Sequence, residues 1–459
     1  MKTYADLLEV GERSEQRMLF VTEAIQQHKG SALYTMARTA KDYDSHRNKT
    51  IMEYQRLLYT VTGKAVVDMY GANYKLRSRF FNRFITQEVQ YLLGNGVTWK
   101  DSKTADVLGN DFDFKLQEIA RDALVGGVAF GFYDNGKMRA FDVTEFVPIY
   151  DEENGALMAG IRFWQVASDK PMRATLYEID GYTDYIWEKG KGRELVPKRS
   201  YIITAIGDRA DFDNGTEIYD GENYPSFPIV PLWGNPQHQS ELVGVQEQID
   251  CYDLIKSGFA NTIDDASYIY WTIQNAGGMD DIDLTKFVER LKTVHATSLD
   301  DEEQAQMHSV ESPHEGREAL LDRLEKDLYK DFMALDTEQI ASGAVTATQI
   351  KAAYEPLNSK ADQFEYCIKM FIDDILGIAG VEDDPTFTRS AIVNTNEEVQ
   401  TVLSSAQYLD SAYVTEKILN LLGDGDKAED VIEKMALEER DALVNGESEQ
   451  GDTEAIQEG

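Results

Sequence analysis

The sequence predicts an α+β protein that is mainly helical. Before residue 128 and again after residue 235, apolar residues recur at three- and four-residue steps, which is the spacing of amphipathic helices. From Val128 to about Val230 they alternate with polar residues, which indicates strands of a largely antiparallel sheet. Hydrophobic residues make up 42% of the 459 residues, so the chain can bury a substantial core.

Three predicted helices precede the sheet. They cover residues 13–28, 74–96 and 112–127, and glycines end the last two. The second begins with basic residues interleaved with phenylalanines, and these basic residues are Lys75, Arg77, Arg79 and Arg83. Such a cluster can bind nucleic acid, but a solvated face opposite an apolar face is the favoured interpretation.

The predicted sheet begins with a hairpin. Its turn is Asp134–Asn135–Gly136, a combination that hairpin turns favour because their central residues take positive φ angles. Further strands are predicted within residues 157–167, 173–190 and 199–206.

Two long helical patterns follow the sheet. The first carries one apolar stripe over about six turns, formed by Leu242, Val245, Ile249, Tyr252, Ile255, Phe259 and Ile263. The second follows a capping box of Ser312, Pro313 and Glu315. Its stripe consists of Leu320, Leu324, Leu328, Phe332 and Leu335.

A small, polar, glycine-containing stretch, "DTEQIASGAVTATQ", separates this pattern from a further long helix at residues 349–380. Pro356 lies inside that helix. Because proline lacks a backbone donor and clashes one turn back, we expect a kink near residues 352–356.

The charge balance limits the function classes. The chain has 45 Lys and Arg against 82 Asp and Glu, a formal net charge of −37. This charge argues against a protein that grips nucleic acid by neutralising phosphates, and it suits a surface that must not stick to a polyanion. Residues 445–459 are acidic and lack apolar periodicity, so we expect a disordered tail.

Cellular context follows from the cysteines and the N-terminus. Cys251 and Cys367 both lie in predicted helices, and we interpret them as reduced, which indicates synthesis in a reducing cytoplasm. The N-terminus has no signal-peptide pattern, and the longest near-apolar run, residues 123–133, is too short to span a bilayer. No membrane partner is predicted.

Motifs for catalysis, metals or cofactors are missing from the sequence. Gly63–Lys64 lacks the rest of a phosphate-binding loop, and the six histidines show no metal-ligand spacing. Paired aspartates could serve a two-metal nuclease, but doublets arise by chance among 82 acidic residues. The pairs are Asp264–Asp265, Asp280–Asp281, Asp300–Asp301, Asp373–Asp374 and Asp383–Asp384. We predict no enzymatic activity, no metal and no cofactor.

Four stretches, by their order and spacing, resemble the portal proteins of tailed double-stranded DNA bacteriophages, particularly of long-tailed phages of Gram-positive hosts. They begin "KLQEIARDALVGG" at residue 115, "FPIVPLWGNP" at residue 227, "GAVTATQIKAAYEP" at residue 343 and, more weakly, "YKLRSRFFNRF" at residue 74. The similarity runs from about Tyr70 to the C-terminal helices.

The resemblance implies a portal fold. Residues 1–234 would form an α+β wing, residues 235–266 and 314–335 the two stem helices, and residues 267–313 a small α/β clip. The apolar stripe of the first stem helix would pack on neighbouring helices. Its polar side would face water, and that side carries Glu241, Glu247, Asp250 and Asp253.

The rest of the chain would complete the portal fold. Residues 336–348 would form a tunnel loop, residues 349–395 a kinked tunnel helix and its return to the wing, residues 396–444 a helical crown, and residues 445–459 the acidic tail. The tunnel loop is small and flexible, so several copies could crowd a narrow axis. An ordinary loop between helices remains an alternative.

Site residues follow from these parts. DNA-facing tunnel-loop residues would be Asp336, Thr337, Glu338, Gln339, Ser342, Gly343, Thr346 and Thr348, and Pro356 would mark the kink of the tunnel helix. The channel wall of the stem would contain Glu247, Asp250, Lys256, Lys326 and Lys330, although solvation is the favoured role of the lysines. Clip contacts with terminase or adaptor would be Asp280, Asp281, Lys286, Arg290 and Lys292.

The implied function is a head–tail connector at one capsid vertex of the virion, assembled in the bacterial host cytoplasm. Twelve identical subunits, or thirteen in a free ring, would surround a channel through which DNA is packaged and later ejected, without sequence specificity. The implied partners are the terminase large subunit, the head-completion adaptor, and the major capsid and scaffolding proteins.

Two alternatives remain open. The same helices could build another phage head–tail connector or oligomeric structural component without a translocating channel. The paired aspartates could instead serve a metal-dependent nuclease. A closed ring with a DNA-wide hole favours the portal interpretation over both.

Overall fold

A computed structural model describes residues 2–59, 63–68, 71–188, 191–206, 219–266, 270–274, 282, 286, 304–308, 314–338, 347–390, 395–422, 428 and 431–437. The chain forms two units, each described separately below. The first contains Met1–Ala334 and Leu357–Arg389, and the second contains Leu335–Pro356 and Ser390–Gly459. The predicted acidic tail, residues 445–459, lies outside the described residues.

Helices dominate both ends of the chain. They are α1 (Tyr4–Val10), α2 (Ser14–Lys29), α3 (Ala32–Asp44), α4 (Lys49–Glu53), α5 (Phe80–Leu93), α6 (Ser102–Leu108), α7 (Phe112–Gly126), α8 (Gln246–Ala266), α9 (His314–Asp331), α10 (Ala347–Ala379), α11 (Thr395–Ser405) and α12 (Ser411–Leu422). A 3₁₀ turn, Ala406–Tyr408, lies between the last two.

Strands occupy the middle of the chain and three short pairings elsewhere. They are β1 (Leu57–Tyr59), β2 (Ala65–Val67), β3 (Val97–Thr98), β4 (Val128–Tyr133), β5 (Met138–Asp142), β6 (Phe146–Tyr150), β7 (Leu157–Trp164), β8 (Met172–Glu178), β9 (Gly181–Glu188), β10 (Lys191–Arg199), β11 (Ile202–Ile206), β12 (Tyr219–Glu222), β13 (Ile229–Trp233), β14 (Tyr270–Gln274), β15 (Gln304–His308) and β16 (Thr386–Phe387).

The strands pair in antiparallel fashion, as the alternating pattern predicts. One sheet has the order β10-β9-β8-β7-β6 and another the order β13-β4-β5. The predicted hairpin turn between β4 and β5 is confirmed: Asn135 and Gly136 have φ angles of 48° and 78°, and Asp134 and Lys137 exchange backbone hydrogen bonds. The predicted α+β class is therefore confirmed.

Two apolar clusters stabilise the first unit. The larger surrounds β4, α5, α7 and the part of α10 after Pro356, and it includes Phe130, Leu124, Phe364 and Phe371. The smaller seals α1 and α2 against the five-stranded sheet through Phe20, Ile25 and Ile161. Each buried side chain of this size contributes about 1.5–3 kcal/mol when removed from water, so the sheet and its helices form one stable body.

The helix predicted over residues 74–96 is only partly confirmed. It begins at Phe80 rather than at Tyr74 and ends at Leu93, before the Gly94–Asn95–Gly96 stop. Residues 72–79 carry no helix or strand. The physical reason lies in α8, whose side chains hydrogen-bond the backbone of this segment.

Helices of the second unit are described by themselves. The helix α12 and a helical segment at residues 431–437 lie within residues 396–444, the range predicted as a crown, and α11 begins one residue before it. Val414 and Ala428 are buried there. The start of α10 also belongs to this unit, and the helix continues through Pro356 to Ala379.

Candidate functional site

The helices α8 and α9 form an antiparallel pair at the end of the first unit. Near one end Gln248 donates to Asp331, and near the other Arg317 donates to Thr262 Oγ1 at 2.7 Å. Residues 267–313 connect the two helices, and strands β14 and β15 lie near the two ends of that connection. The two predicted apolar stripes therefore lie on the two helices of one hairpin.

Burial of the two stripes decreases toward the connection. In α8, Ile249 is 1% exposed, whereas Ile263 is 51% exposed. In α9, Leu328 is fully buried, whereas Leu320 is 44% exposed. One subunit therefore leaves apolar side chains uncovered at this end, although a chain in water ordinarily buries a continuous stripe.

The polar side of α8 differs from the prediction. Asp253 was expected to face water, but it is fully buried and accepts hydrogen bonds from Ser78 N at 2.8 Å and Asn48 Nδ2 at 2.5 Å. Burial raises the pKa of Asp253, although these hydrogen bonds act in the opposite direction. The expectation is wrong because the N-terminal helices and the segment before α5 cover this side of α8.

Three side chains spaced one turn apart on α8 hold the segment before α5. Asp253, Ser257 and Asn261 accept the backbone N–H groups of Ser78, Leu76 and Tyr74, at 2.8, 3.0 and 2.7 Å. Four helical residues advance about 6 Å, close to the roughly 6.6 Å covered by two extended residues. The segment is extended because alternate N–H groups bind successive turns of α8.

Asp250 lies on the same helix and has partners within the subunit. Its carboxylate accepts hydrogen bonds from the Tyr43 hydroxyl and from Thr50 Oγ1, the latter at 2.7 Å. Both partners belong to the N-terminal helices α3 and α4, so Asp250 anchors α8 to them. Its placement in a channel wall would have to preserve these bonds.

Other predicted wall residues are placed differently. The side chains of Glu247, Lys326 and Lys330 are exposed. Lys256 is half-buried, with its ammonium group 5.4 Å from the centre of the Tyr252 ring.

A buried ion triad connects α5, the approach to α8 and α10. Lys360 Nζ lies 2.9 Å from Glu88 Oε2 and 2.8 Å from Glu241 Oε2. It also lies 3.5 Å from the centre of the Phe332 ring. Glu241 was expected to face water, and this expectation is wrong because Lys360 draws its carboxylate inward.

The charges of the triad do not balance. Burial raises the pKa of Glu88 to about 7. The negative charge of Glu241 also raises this pKa, whereas the positive charge of Lys360 lowers it. Burial opposes the charge on Lys360, but the two carboxylates raise its pKa. The site therefore holds two carboxyl groups and one ammonium group, and this imbalance favours the protonated form of Glu88.

The part of α10 after Pro356 lies directly on the sheet. Phe371 packs against β4 at Gly131, where an added Cβ would stand 2.4 Å from Phe371 Cζ. Arg389 pairs with Asp362 and, at 2.8 Å, with Glu365 Oε2, and it donates to Asn358 Oδ1 at 3.3 Å. This half of the predicted tunnel helix is fixed to the first unit.

The predicted tunnel loop and clip fall mainly outside the described residues. The loop residues Gln339, Ser342, Gly343 and Thr346 and the clip residues Asp280, Asp281, Arg290 and Lys292 lie there, as does the capping pair Ser312–Pro313. Within the described ranges, Asp336 is half-buried, and Thr337, Glu338, Thr348, Pro356 and Lys286 are exposed.

One of the aspartate pairs, Asp383–Asp384, has partners within the chain. Asp383 accepts hydrogen bonds from Thr104 Oγ1, Lys100 N and Asp101 N. These hydrogen bonds lower the pKa of Asp383 to about 2. Asp384 forms an ion pair with Lys100 Nζ at 2.9 Å. Among the described residues, no group of three or more His, Cys, Asp and Glu could hold a metal ion. None of the described helices is long and apolar enough to cross a bilayer.

Comparison with known proteins agrees with the resemblance. The chain is similar to the portal protein of Clostridium phage phiCD119, with 25% identity over 373 residues that cover 73% of this chain and 79% of that protein. It is 24% identical over 379 residues to the portal protein of Bacillus phage SPP1, covering 76% of this chain and 73% of that protein.

A solved structure, the neck of an empty GTA particle computed with C6 symmetry, contains a chain that is 10% identical, with a TM-score of 0.43, covering 75% of this chain and 90% of that chain. A family model described as phage portal protein, SPP1 Gp6-like, matches residues 29–443. Because that match spans most of the sequence, the chain belongs to the SPP1 Gp6-like family of phage portal proteins.

Proposed function

We propose that twelve copies of the chain, or thirteen in a free ring, form a closed ring at one capsid vertex, and that double-stranded DNA passes through its channel during packaging and ejection. The observation that carries this proposal is the antiparallel pair α8 and α9, which leaves Ile263 and Leu320 uncovered in one subunit. Neighbouring copies in a ring would cover these side chains.

The charge of the chain suits a channel for DNA. At −37 per subunit, a ring offers no net counterion release to a phosphate backbone, so DNA would slide without being held. In this proposal Glu247, Lys326 and Lys330, which are exposed on α8 and α9, belong to the channel wall. Lysines there would give weak, sequence-independent contacts.

The residues between the two stem helices would form the clip. These residues connect α8 to α9, and in this proposal they contact first the terminase large subunit and later the head-completion adaptor. The sheet-containing wing would meet the major capsid and scaffolding proteins. Residues 336–348 would form the tunnel loop around DNA, and α10 would be the tunnel helix.

We propose a structural role rather than an enzymatic one. The terminase would supply the ATP-driven work, since this sequence lacks a phosphate-binding loop. Asp383 and Asp384, which a nuclease hypothesis would use, are occupied by the segment at the start of α6. The chain would contribute the geometry of the channel and its docking surfaces.

The test is negative-stain electron microscopy of the purified chain, together with the mass of the intact particle by native mass spectrometry. We expect end-on rings of twelve or thirteen subunits with a hole about as wide as a DNA duplex. Rings without such a hole, or tubes, would support a connector without a translocating channel. A monomer at every salt and protein concentration would contradict the proposal.

A further inference from the structure

A concentration of positive charge lies beside α8, on a chain that is otherwise strongly acidic. A cleft of about 590 Å³ is lined by Arg77, Arg79, Arg83 and Lys256, and these four residues are called the basic cleft below. Within the part of the chain that the structure describes, Glu325 is the one carboxylate of its lining, and it lies 3.7 Å from Arg83. The basic cleft therefore carries a local excess of positive charge.

Aromatic rings and backbone groups position these cations. The Arg83 guanidinium lies 5.1 Å from the centre of the Phe80 ring and 5.3 Å from that of Tyr329. Arg77 donates to the His46 carbonyl at 2.8 Å. Arg79 is exposed and makes no ion pair with the described carboxylates. Cations that are already positioned lose little side-chain entropy when they meet an acidic partner.

The segment that leads into the cleft has the composition of a protein interface. Tyr74 is 49% exposed and Leu76 is 38% exposed, and they alternate with Lys75 and Arg77. Aromatic residues and arginine are enriched at protein–protein contacts. Exposed apolar side chains offer nothing to a phosphate backbone, so this surface suits a protein better than DNA.

The backbone of the same segment supports that choice. Its even-numbered N–H groups bind α8, so the N–H groups of Lys75 and Arg77 point to the other edge of the extended segment. Within the described residues these two groups make no hydrogen bond. An extended segment with open N–H groups along one edge can donate hydrogen bonds to another chain.

We propose that the basic cleft and residues 74–79 bind an acidic surface of the next copy of this chain. The inference rests on the proposed ring. In a ring each subunit presents two different surfaces to its two neighbours, and these must complement each other. The chain has 82 acidic and 45 basic residues, so adjacent copies repel each other overall. The basic cleft supplies a local attraction that opposes this repulsion.

Charge reversal tests the proposal on the full-length chain. Arg79→Glu and Lys256→Glu are compared with Arg193→Glu, which makes the same charge change on strand β10, where Arg193 is also exposed. Circular dichroism checks that each variant is folded. Native mass spectrometry at low and at high salt gives the protein concentration at which assembly is half-maximal. We expect this concentration to be about tenfold higher for the two cleft variants than for the wild type. Arg193→Glu should assemble like the wild type.

Zero-length cross-linking identifies the occupant. Rings assembled from equal amounts of ¹⁴N- and ¹⁵N-labelled chains are treated with a carbodiimide, which joins lysines to touching carboxylates. We expect mixed-isotope cross-links from Lys75 or Lys256. Cross-links confined to one chain would overturn the proposal.

The remaining outcomes are also decisive. The cleft variants could instead form intact rings that no longer bind a short DNA duplex at low salt. That result would show that the basic cleft binds phosphates, and it would overturn the proposal that a second copy occupies it. A wild-type chain that never forms rings would overturn the proposed function and this inference together. Rings formed equally by the wild type and the cleft variants would overturn this inference alone.

Discussion

Asp253 accepts the backbone N–H of Ser78 at 2.8 Å, and this contact determines the path of the chain into α5. With Ser257 and Asn261 it forms a row of acceptors along one side of α8. That row keeps residues 74–78 extended, although their sequence pattern suits a helix. The basic cleft owes its position to the same contact, because its arginines follow directly from this segment.

Removal of the Asp253 carboxylate should destabilise the protein markedly. Asp253→Ala leaves the buried N–H of Ser78 without its acceptor and removes the shorter of the two hydrogen bonds that Asn48 Nδ2 donates. We therefore expect a loss of about 2–4 kcal/mol in the free energy of unfolding. Asp253→Asn keeps one acceptor oxygen and should cost less. Thermal unfolding of the full-length chain, followed by circular dichroism, measures both.

Asp169→Ala is the control for this prediction. The Asp169 side chain is 73% exposed, so its removal should change the free energy of unfolding by less than about 0.5 kcal/mol. Equal effects of Asp253→Ala and Asp169→Ala would contradict the buried row of acceptors on α8.

Removal of Lys360 alone should be more harmful than removal of the whole ion triad. Lys360→Met leaves Glu88 and Glu241 as two buried carboxylates without their cation, so we expect a loss of about 3–5 kcal/mol. The triple variant Glu88→Gln, Glu241→Gln, Lys360→Met carries no buried charge and should recover most of that loss. Urea unfolding of the wild type, Lys360→Met, the double variant Glu88→Gln, Glu241→Gln and the triple variant gives the coupling energy.

A recovery smaller than the experimental error would contradict the triad as a coupled unit. Lys369→Met is the matched control, since this lysine lies on the same helix, is 42% exposed and pairs with Glu365 at 2.9 Å. Its removal should cost less than about 1 kcal/mol.

The stability of the triad should depend on pH in a defined direction. Burial raises the pKa of Glu88 from 4.5 to about 7 in the folded protein. The folded chain therefore holds a proton that the unfolded chain has released, and stability falls as the pH rises through this interval. We expect the unfolding midpoint of the wild type to decrease between pH 5 and pH 8.

Glu88→Gln separates this contribution from other groups. Burial also raises the pKa of Asp122 to about 7, so the wild type alone does not isolate Glu88. The difference in unfolding midpoint between the wild type and Glu88→Gln should change with pH. A constant difference from pH 5 to pH 8 would show that Glu88 does not titrate there.

Periodic patterns in the sequence predict the elements that are buried on one face. The hairpin at Asn135–Gly136, the antiparallel strands and the stripes of α8 and α9 all follow from the spacing of apolar residues and from turn chemistry. These signals are local, because each depends on residues a few positions apart. The family resemblance adds the order in which such elements occur.

Polar contacts between distant segments do not follow from spacing. Asp253 and Glu241 belong to a sequence face that suits water, but Ser78 and Lys360 reach them from 175 and 119 positions away. The repeat of Asp253, Ser257 and Asn261 at four-residue steps was the available signal. It becomes interpretable once the extended segment before α5 is known.

Gly131 should be needed for the contact between β4 and α10. A methyl group there would stand 2.4 Å from Phe371 Cζ, so Gly131→Ala forces the helix or the ring to move and should cost about 1–3 kcal/mol. Gly131→Ala combined with Phe371→Leu should recover part of the loss. Unfolding by urea measures both, and no loss in the single variant would contradict the close approach.

Pro356 allows a test of whether the kink predicted in the tunnel helix acts as a hinge. Its side chain is exposed, so Pro356→Ala removes little packing while it restores a backbone donor inside α10. Alanine is favoured over proline in a helix interior by about 3 kcal/mol, and we therefore expect a stiffer helix. If changes of helix angle accompany DNA movement, Pro356→Ala should assemble normally but yield fewer DNA-filled heads.

The control for Pro356→Ala is Glu355→Ala, which changes the neighbouring exposed residue and keeps the proline. Electron microscopy of heads from infected cells complemented with each variant gives the ratio of filled to empty heads. A reduced ratio for Pro356→Ala alone supports a hinge, because both variants keep the surrounding contacts. Equal ratios would mean that the proline has no role in DNA movement, and the hinge hypothesis would then be abandoned.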